Sequence, residues 1–135
     1  MIDPSGNIKT VELSSHFVVV REPTNGQVIN TNHYQTAEMQ GHEVPLEIPP
    51  DWSDSRDRIA RASEVLNGIA LVDENAIKHV LSDHGKDGVP GKTICRHTET
   101  GCTHRSMIFY PGRKTIKVLF GYPCQQVEYQ EIGFS

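Results

Sequence analysis

His104-Arg105-Ser106-Met107-Ile108-Phe109-Tyr110 runs through Pro111-Gly112-Arg113-Lys114 into Thr115-Ile116-Lys117-Val118-Leu119-Phe120. Two segments rich in β-branched and aromatic residues flank a proline-glycine turn, which reads as a β-hairpin. Upstream of it the pattern is helical. Within Ser53–Asn67, Ile59, Ala62 and Leu66, then Ile69, recur at spacings of three and four and make one apolar stripe. Ser53 or Asp54 can cap the start of this helix and Gly68 can end it. Arg56, Arg58 and Arg61, set among Asp54, Asp57 and Glu64, are expected as a solvated face of i,i+3 and i,i+4 pairs. Asp73–Asp83 predicts a second helix, with Asp73 as N-cap, Gly85 as its stop and Ala76, Ile77, Val80 and Leu81 as the buried stripe.

Further upstream the chain is extended. Ile8–Leu13 and His16–Arg21 are rich in strand formers, and the apolar run from Phe17 to Val20 fits a strand covered on both faces. Pro23-Thr24-Asn25-Gly26 supplies turn chemistry and Gln27–Asn32 a second short strand, so residues 16–32 read as a hairpin. Tyr34–Trp52 is polar, contains Pro49-Pro50, and reads as a long connecting loop of the kind that often carries function. Residues 85–92 are a glycine-rich loop without phosphate-loop spacing, and Gln126–Glu131 is a last extended piece. Strands, then helices, then strands predict an α+β fold, an antiparallel sheet with two helices, and not an alternating βαβ chain.

The 135 residues suit a single domain, 1–135. A net charge of −4 argues against a nucleic-acid surface, and no apolar run approaches the ~18 residues of a membrane span. Met1-Ile2-Asp3-Pro4 does not look like a secretory leader. Three cysteines, an odd number, read as thiols of a reducing compartment, and the expectation is cytoplasmic.

Three clusters could carry chemistry. Cys95, His97, Cys102 and His104 follow a Cys-x-His-x4-Cys-x-His spacing, and thiolates with imidazoles can close a tetrahedral zinc site. The other reading is a part-buried strand cysteine with loop histidines. Asn30-Thr31-Asn32-His33-Tyr34 ends a strand, where an asparagine amide can donate to an oxyanion or merely cap a turn. Cys124, after Gly121-Tyr122-Pro123, reads as a small packed residue, or as a nucleophile if a histidine lies near.

Taken in order, several segments resemble one family. They are Asn30-Thr31-Asn32-His33-Tyr34, Asp54-Ser55-Arg56-Asp57-Arg58 opening a helix, Leu81-Ser82-Asp83-His84, Ile94-Cys95-Arg96-His97, the hairpin, and Gly121-Tyr122-Pro123-Cys124. From about residue 3 to 131 the chain is similar to the C-terminal part of the acyl-coenzyme A:6-aminopenicillanic-acid acyltransferases. These are cysteine N-terminal-nucleophile (Ntn) hydrolases related to the choloylglycine hydrolases. The resemblance implies an αββα sandwich, a linear-amide hydrolase or acyltransferase activity on a small acyl-amide, and no cofactor. It places the oxyanion donor on Asn32 and a cation for thiolate or substrate carboxylate on Arg96, with His33 and Tyr34 toward the substrate. The family nucleophile lies upstream of the matched region, and Cys95, Cys102 and Cys124 fall on positions that are not catalytic. The resemblance therefore implies a chain inactive alone, pairing with a separate N-terminal half or with itself. The alternatives are a non-catalytic oligomeric binding or structural module of the same fold, and a small zinc-stabilised domain. Neither nucleic acid nor membrane is an expected partner.

Overall fold

The structure is a computed structural model that describes residues 2–3, 5–43, 54–67, 69–86, 88, 93–99, 101–125 and 128–134. It is a mixed α/β fold with two antiparallel sheets and three helices among the described residues. Strands β1 (Thr10–Leu13) and β2 (Val18–Arg21) form one sheet. Helices α1 (Ala37–Gln40), α2 (Ser55–Asn67) and α3 (Glu74–Leu81) follow. Strands β3 (Arg105–Tyr110), β4 (Thr115–Phe120) and β5 (Gln130–Gly133) form the second sheet, with β4 in the middle.

The β3–β4 hairpin forms as its sequence predicts. Pro111–Arg113 makes a single 3-10 turn, and Lys114 closes it in the left-handed region at φ +48°. Asp73 caps α3, its carboxylate accepting from the Ala76 amide at 2.8 Å. Helix α3 ends at Leu81 rather than at Gly85, with Ser82 as its last half-helical residue. The expected caps Ser53 and Gly68 of α2 lie outside the described residues, as does most of the 85–92 loop.

The N-terminal hairpin differs from expectation. It joins β1 to β2, and the turn is Ser14–Phe17. The Ser14 hydroxyl accepts from the Phe17 amide at 3.0 Å while the Ser14 amide donates to the Phe17 carbonyl at 2.9 Å. The Asn25-Gly26 turn does form, at φ +51° and +75°, but between single bridging residues Thr24 and Gln27. Gln27–Asn32 is therefore not a strand. Its polar groups bind the first sheet from outside instead: Asn30 Nδ2 donates to Thr10 Oγ1 at 2.9 Å, and Arg21 donates to Asn30 Oδ1. Within the expected 34–52 loop, residues 37–40 are helical, and residues 44–52 lie outside the described residues.

Helices α2 and α3 meet in a small core of Ala62, Leu66 and Val80, with Ile29, Val65 and Ile94 packed against it. Arg61 is not part of a solvated face. Its guanidinium grips the buried Asp83 carboxylate through two bonds, 2.9 and 2.7 Å, and so pins α2 to the end of α3. Helix α3 is fastened to the second sheet by Glu74. That carboxylate accepts from Lys117 Nζ at 2.7 Å, pairs with Lys78 at 2.7 Å and accepts from the Tyr110 hydroxyl. Hydrogen bonds from Lys117, Lys78 and Tyr110 hold the Glu74 carboxyl down at about 2. Burial, with the Glu74 charge beside it, pushes the Tyr110 hydroxyl up to about 12.

Among the described residues each sheet leaves large apolar side chains exposed on one face. In the second, Ser106, Ile108 and Leu119 are buried, whereas Met107, Phe109, Phe120, Ile132 and Phe134 are exposed, Phe109 at 58%. The register sets Phe109 against Ile116, and Ile116 against Ile132, so these share one face with Met107, Phe120 and the buried Val118 at its centre, with Arg105 and Gln130 at its rim. In the first sheet Val11 pairs with Val20 and Leu13 with Val18, and all four are exposed, Val18 at 64%. The expectation that residues 17–20 are covered on both faces is thus corrected: a two-stranded sheet leaves their outer face in water.

Glu74 sets a testable acid limb. A carboxyl whose folded pKa is depressed adds stability above its unfolded value, ~4.5, and that stability is lost as pH falls toward about 2. Glu74→Gln is expected to cost about 2 kcal/mol at pH 7 and to flatten this part of the acid limb, read as denaturation midpoint against pH.

Candidate functional site

Asn32 lies just ahead of α2 in space, and the first turn of that helix builds its surroundings. The Asn32 amide donates to Ser55 Oγ at 2.7 Å, and Thr31 Oγ1 donates to the Ser55 carbonyl at 2.9 Å. The Ser55 hydroxyl also lies 2.8 Å from His33 Nδ1, and the Thr31 hydroxyl lies 3.1 Å from the same ring nitrogen, so His33 is held by both. Burial, followed by the charge of Arg56, lowers the His33 pKa and so favours the neutral ring.

The side-chain amide of Asn32 is held from one end. Arg58 Nη2 donates to Asn32 Oδ1 at 2.6 Å, and Arg58 Nε in turn donates to Asp54 Oδ1 at 3.1 Å. Among the described residues Asn32 Nδ2 has no hydrogen-bond partner, and Asn32 is exposed. The arrangement presents two N–H donors outward with the amide orientation fixed. Asn30, two residues earlier, is spent on the first hairpin.

Asp54 is 3% exposed, and its second oxygen faces Arg96 Nε at 3.5 Å. Asn32, Arg58, Asp54 and Arg96 thus form one connected polar chain spanning three segments. The Arg96 guanidinium lies over Gly101, where an added Cβ would stand 3.2 Å from its central carbon. Arg58 was expected on a solvated face. Its side chain is 18% exposed and is the brace of the site instead. The sequence signal for this was the i,i+4 pair Asp54–Arg58, which does not tell that the arginine reaches a third residue.

Tyr34 is placed elsewhere. Its hydroxyl donates to the Leu13 carbonyl at 2.7 Å and its amide to Glu43 Oε1 at 2.8 Å, so it ties the first hairpin to the segment before α1. The neighbouring Glu12 does similar work. Burial raises its carboxyl, but the amides of Thr36 and Gln35, the Thr36 hydroxyl and Arg21 outweigh that and lower it. An open groove of about 320 Å³ lies beside this hairpin, lined by Arg21, Gln27, Ile29, Gln35, Ile59 and Asn67 among others.

The cysteines and histidines sort differently from their order in the sequence. His97 Nε2 lies 3.4 Å from Cys95 Sγ and 3.1 Å from Cys124 Sγ. His84 joins them, and the four ligand atoms lie within 4.8 Å of one another. Cys102 Sγ and His104 Nε2 form a separate pair, 3.5 Å apart. His84 and Cys124 come from 11 residues upstream and 27 residues downstream of the central Cys95 and His97 respectively, so the local spacing does not reveal them. Cys124 is exposed, not packed, and Cys95 is fully buried. Burial, with the thiol of Cys124 beside it, pushes the Cys95 thiol up to about 11, opposite to an activated nucleophile.

No family model matches the chain, and no curated protein matches it. No helix among the described residues is long and apolar enough to cross a membrane.

The polar chain separates two kinds of substitution. Asp54→Ala leaves two arginines facing an empty buried position and is expected to cost about 3–5 kcal/mol. Asn32→Ala, at an exposed end, is expected to stay within about 1 kcal/mol. Urea midpoints of the two variants check this.

Proposed function

We propose that this chain is the C-terminal portion of a linear-amide C–N hydrolase or acyltransferase of the penicillin acyltransferase-like, cysteine Ntn type. The observation that carries the reading is the Asn32 amide, clamped at its oxygen by Arg58 and open at its nitrogen. Amide attack by a thiol turns the carbonyl oxygen into an anion. A neutral donor already oriented toward it stabilises that charge without reorganising, and without changing its own charge. Arg96, set against Asp54, holds the support of that clamp and offers a fixed cation at its margin. His33, bonded to Ser55, orients the same turn.

The nucleophile in this proposal comes from another portion of the enzyme. Cys95 is buried with a raised pKa, and Cys124 and Cys95 are both engaged with His97. The open apolar face of the second sheet supports a second layer there, as in an αββα sandwich, supplied by a separate N-terminal half or by another copy. The same face favours the second reading, a non-catalytic oligomeric module of this fold. Three free thiols support a reducing, cytoplasmic setting for either.

Co-expression of the chain with the segment encoded upstream of it, assayed for amine release from linear acyl-anilides, tests the enzyme reading. Turnover is expected, and Asn32→Ala is expected to lower kcat by about 10²–10³-fold with KM little changed. Unchanged kcat in that variant removes the oxyanion role. A stable homo-oligomer of the chain, with no turnover after co-expression, decides for the non-catalytic module. Light scattering of the chain alone is expected to show self-association that Phe109→Ser with Ile132→Thr reduces; a monomer that binds no apolar dye contradicts both readings.

A further inference from the structure

We propose that His84, Cys95, His97 and Cys124 form a tetrahedral binding site for a thiophilic divalent cation, zinc above all. This rests on the side-chain geometry alone and is independent of the amidase reading.

Three segments converge on the site. His84 lies just past α3, Cys95 and His97 flank Arg96 on the 93–97 segment, and Cys124 lies in the turn after β4. They are stitched together without the metal. The Cys95 amide donates to the Asp83 carbonyl at 3.0 Å, beside His84, and the Gln125 amide donates to the Tyr122 carbonyl at 3.0 Å to close the turn that presents Cys124. The imidazoles are also oriented. His97 stacks on Tyr122 with ring centres 3.9 Å apart and meets the His84 ring edge-on at 5.1 Å.

Zinc–sulfur and zinc–nitrogen bonds of about 2.3 and 2.0–2.1 Å put tetrahedral sulfur and nitrogen ligands roughly 3.6 Å apart. The observed sulfur–nitrogen separations are 3.4 and 3.1 Å, and the widest pair, within 4.8 Å, needs to close by only about 1 Å. Two thiolates and two imidazoles suit zinc, and exclude magnesium and calcium, which require oxygen ligands. Three of the four residues are exposed, which leaves an entry path, while Cys95 anchors the site from inside. A physical need is also present. The helical core holds three buried side chains and both sheets are open on one face, and small cores of this kind gain most from a metal staple.

The full chain, purified under a phosphine reductant without chelator, is to be measured for metal content and titrated with cobalt. Stoichiometric zinc is expected, as are the intense visible bands of tetrahedral cobalt and a thiolate-to-cobalt charge-transfer band. Cys124→Ser, at an exposed position, is expected to diminish that band. His84→Ala is expected to weaken cobalt binding by more than about tenfold, a loss that even outer-shell partners can cause. Cys102→Ser is the discriminating control and is expected to leave the spectrum unchanged. A chelator is expected to lower the melting temperature of the wild-type chain but not of Cys124→Ser. A pale octahedral cobalt spectrum, substoichiometric zinc, equal loss in Cys102→Ser, or a Cys95–Cys124 disulfide persisting under reductant would each overturn the proposal.

Discussion

The carboxylate of Asp54 is the constraint on which the site depends. A charge this deeply removed from water needs partners, and Asp54 accepts a hydrogen bond from Arg58 on one oxygen while the other stands in a looser 3.5 Å ion pair with Arg96. Arg58 reaches onward to Asn32, and Arg96 fixes the 93–97 segment against the start of α2. The second effect matters as much as the first. The neighbours of Arg96, Cys95 and His97, meet each other and Cys124. One buried carboxylate therefore links the brace of Asn32 to the segment that carries Cys95 and His97.

The elements that the sequence announces are those whose signals are local. Helix α3 was readable from Asp73 and the stripe of Ala76 and Val80, and the β3–β4 hairpin from Pro111-Gly112 between strand formers. The first hairpin departs from expectation because Asn25-Gly26 is the stronger turn dipeptide, yet Ser14, with a hydroxyl that can accept backbone N–H groups, closes the turn actually paired. The pairing tendency of Asp54 with Arg58 is legible in their i,i+4 spacing. The brace from Arg58 to Asn32 spans 26 residues, and His97 to Cys124 spans 27. Contacts at that separation are made by tertiary packing, and no local pattern encodes them.

The apolar content of the chain is 36%, yet few of those side chains are enclosed. Most of the large apolar side chains exposed among the described residues lie on the strands of the two sheets. Burying such a face contributes roughly 25 cal/mol per Å² of apolar surface, so these faces hold stabilisation the chain does not realise by itself. The polar links Arg61–Asp83 and Glu74–Lys117 compensate in part, by fastening helices to one another and to the sheet where apolar contact is thin.

Strand β5 gives this openness a temporal order. All four of its residues are exposed, and besides the backbone ladder to β4 it is held by a long ion pair from Lys117 to Glu131 at 3.9 Å. Local opening begins where least is buried. When β5 detaches, it bares the edge of β4, the strand that carries the deeply buried Leu119, beside an apolar face already in water. A lightly held strand thus guards an adhesive edge, and its detachment invites another chain to pair.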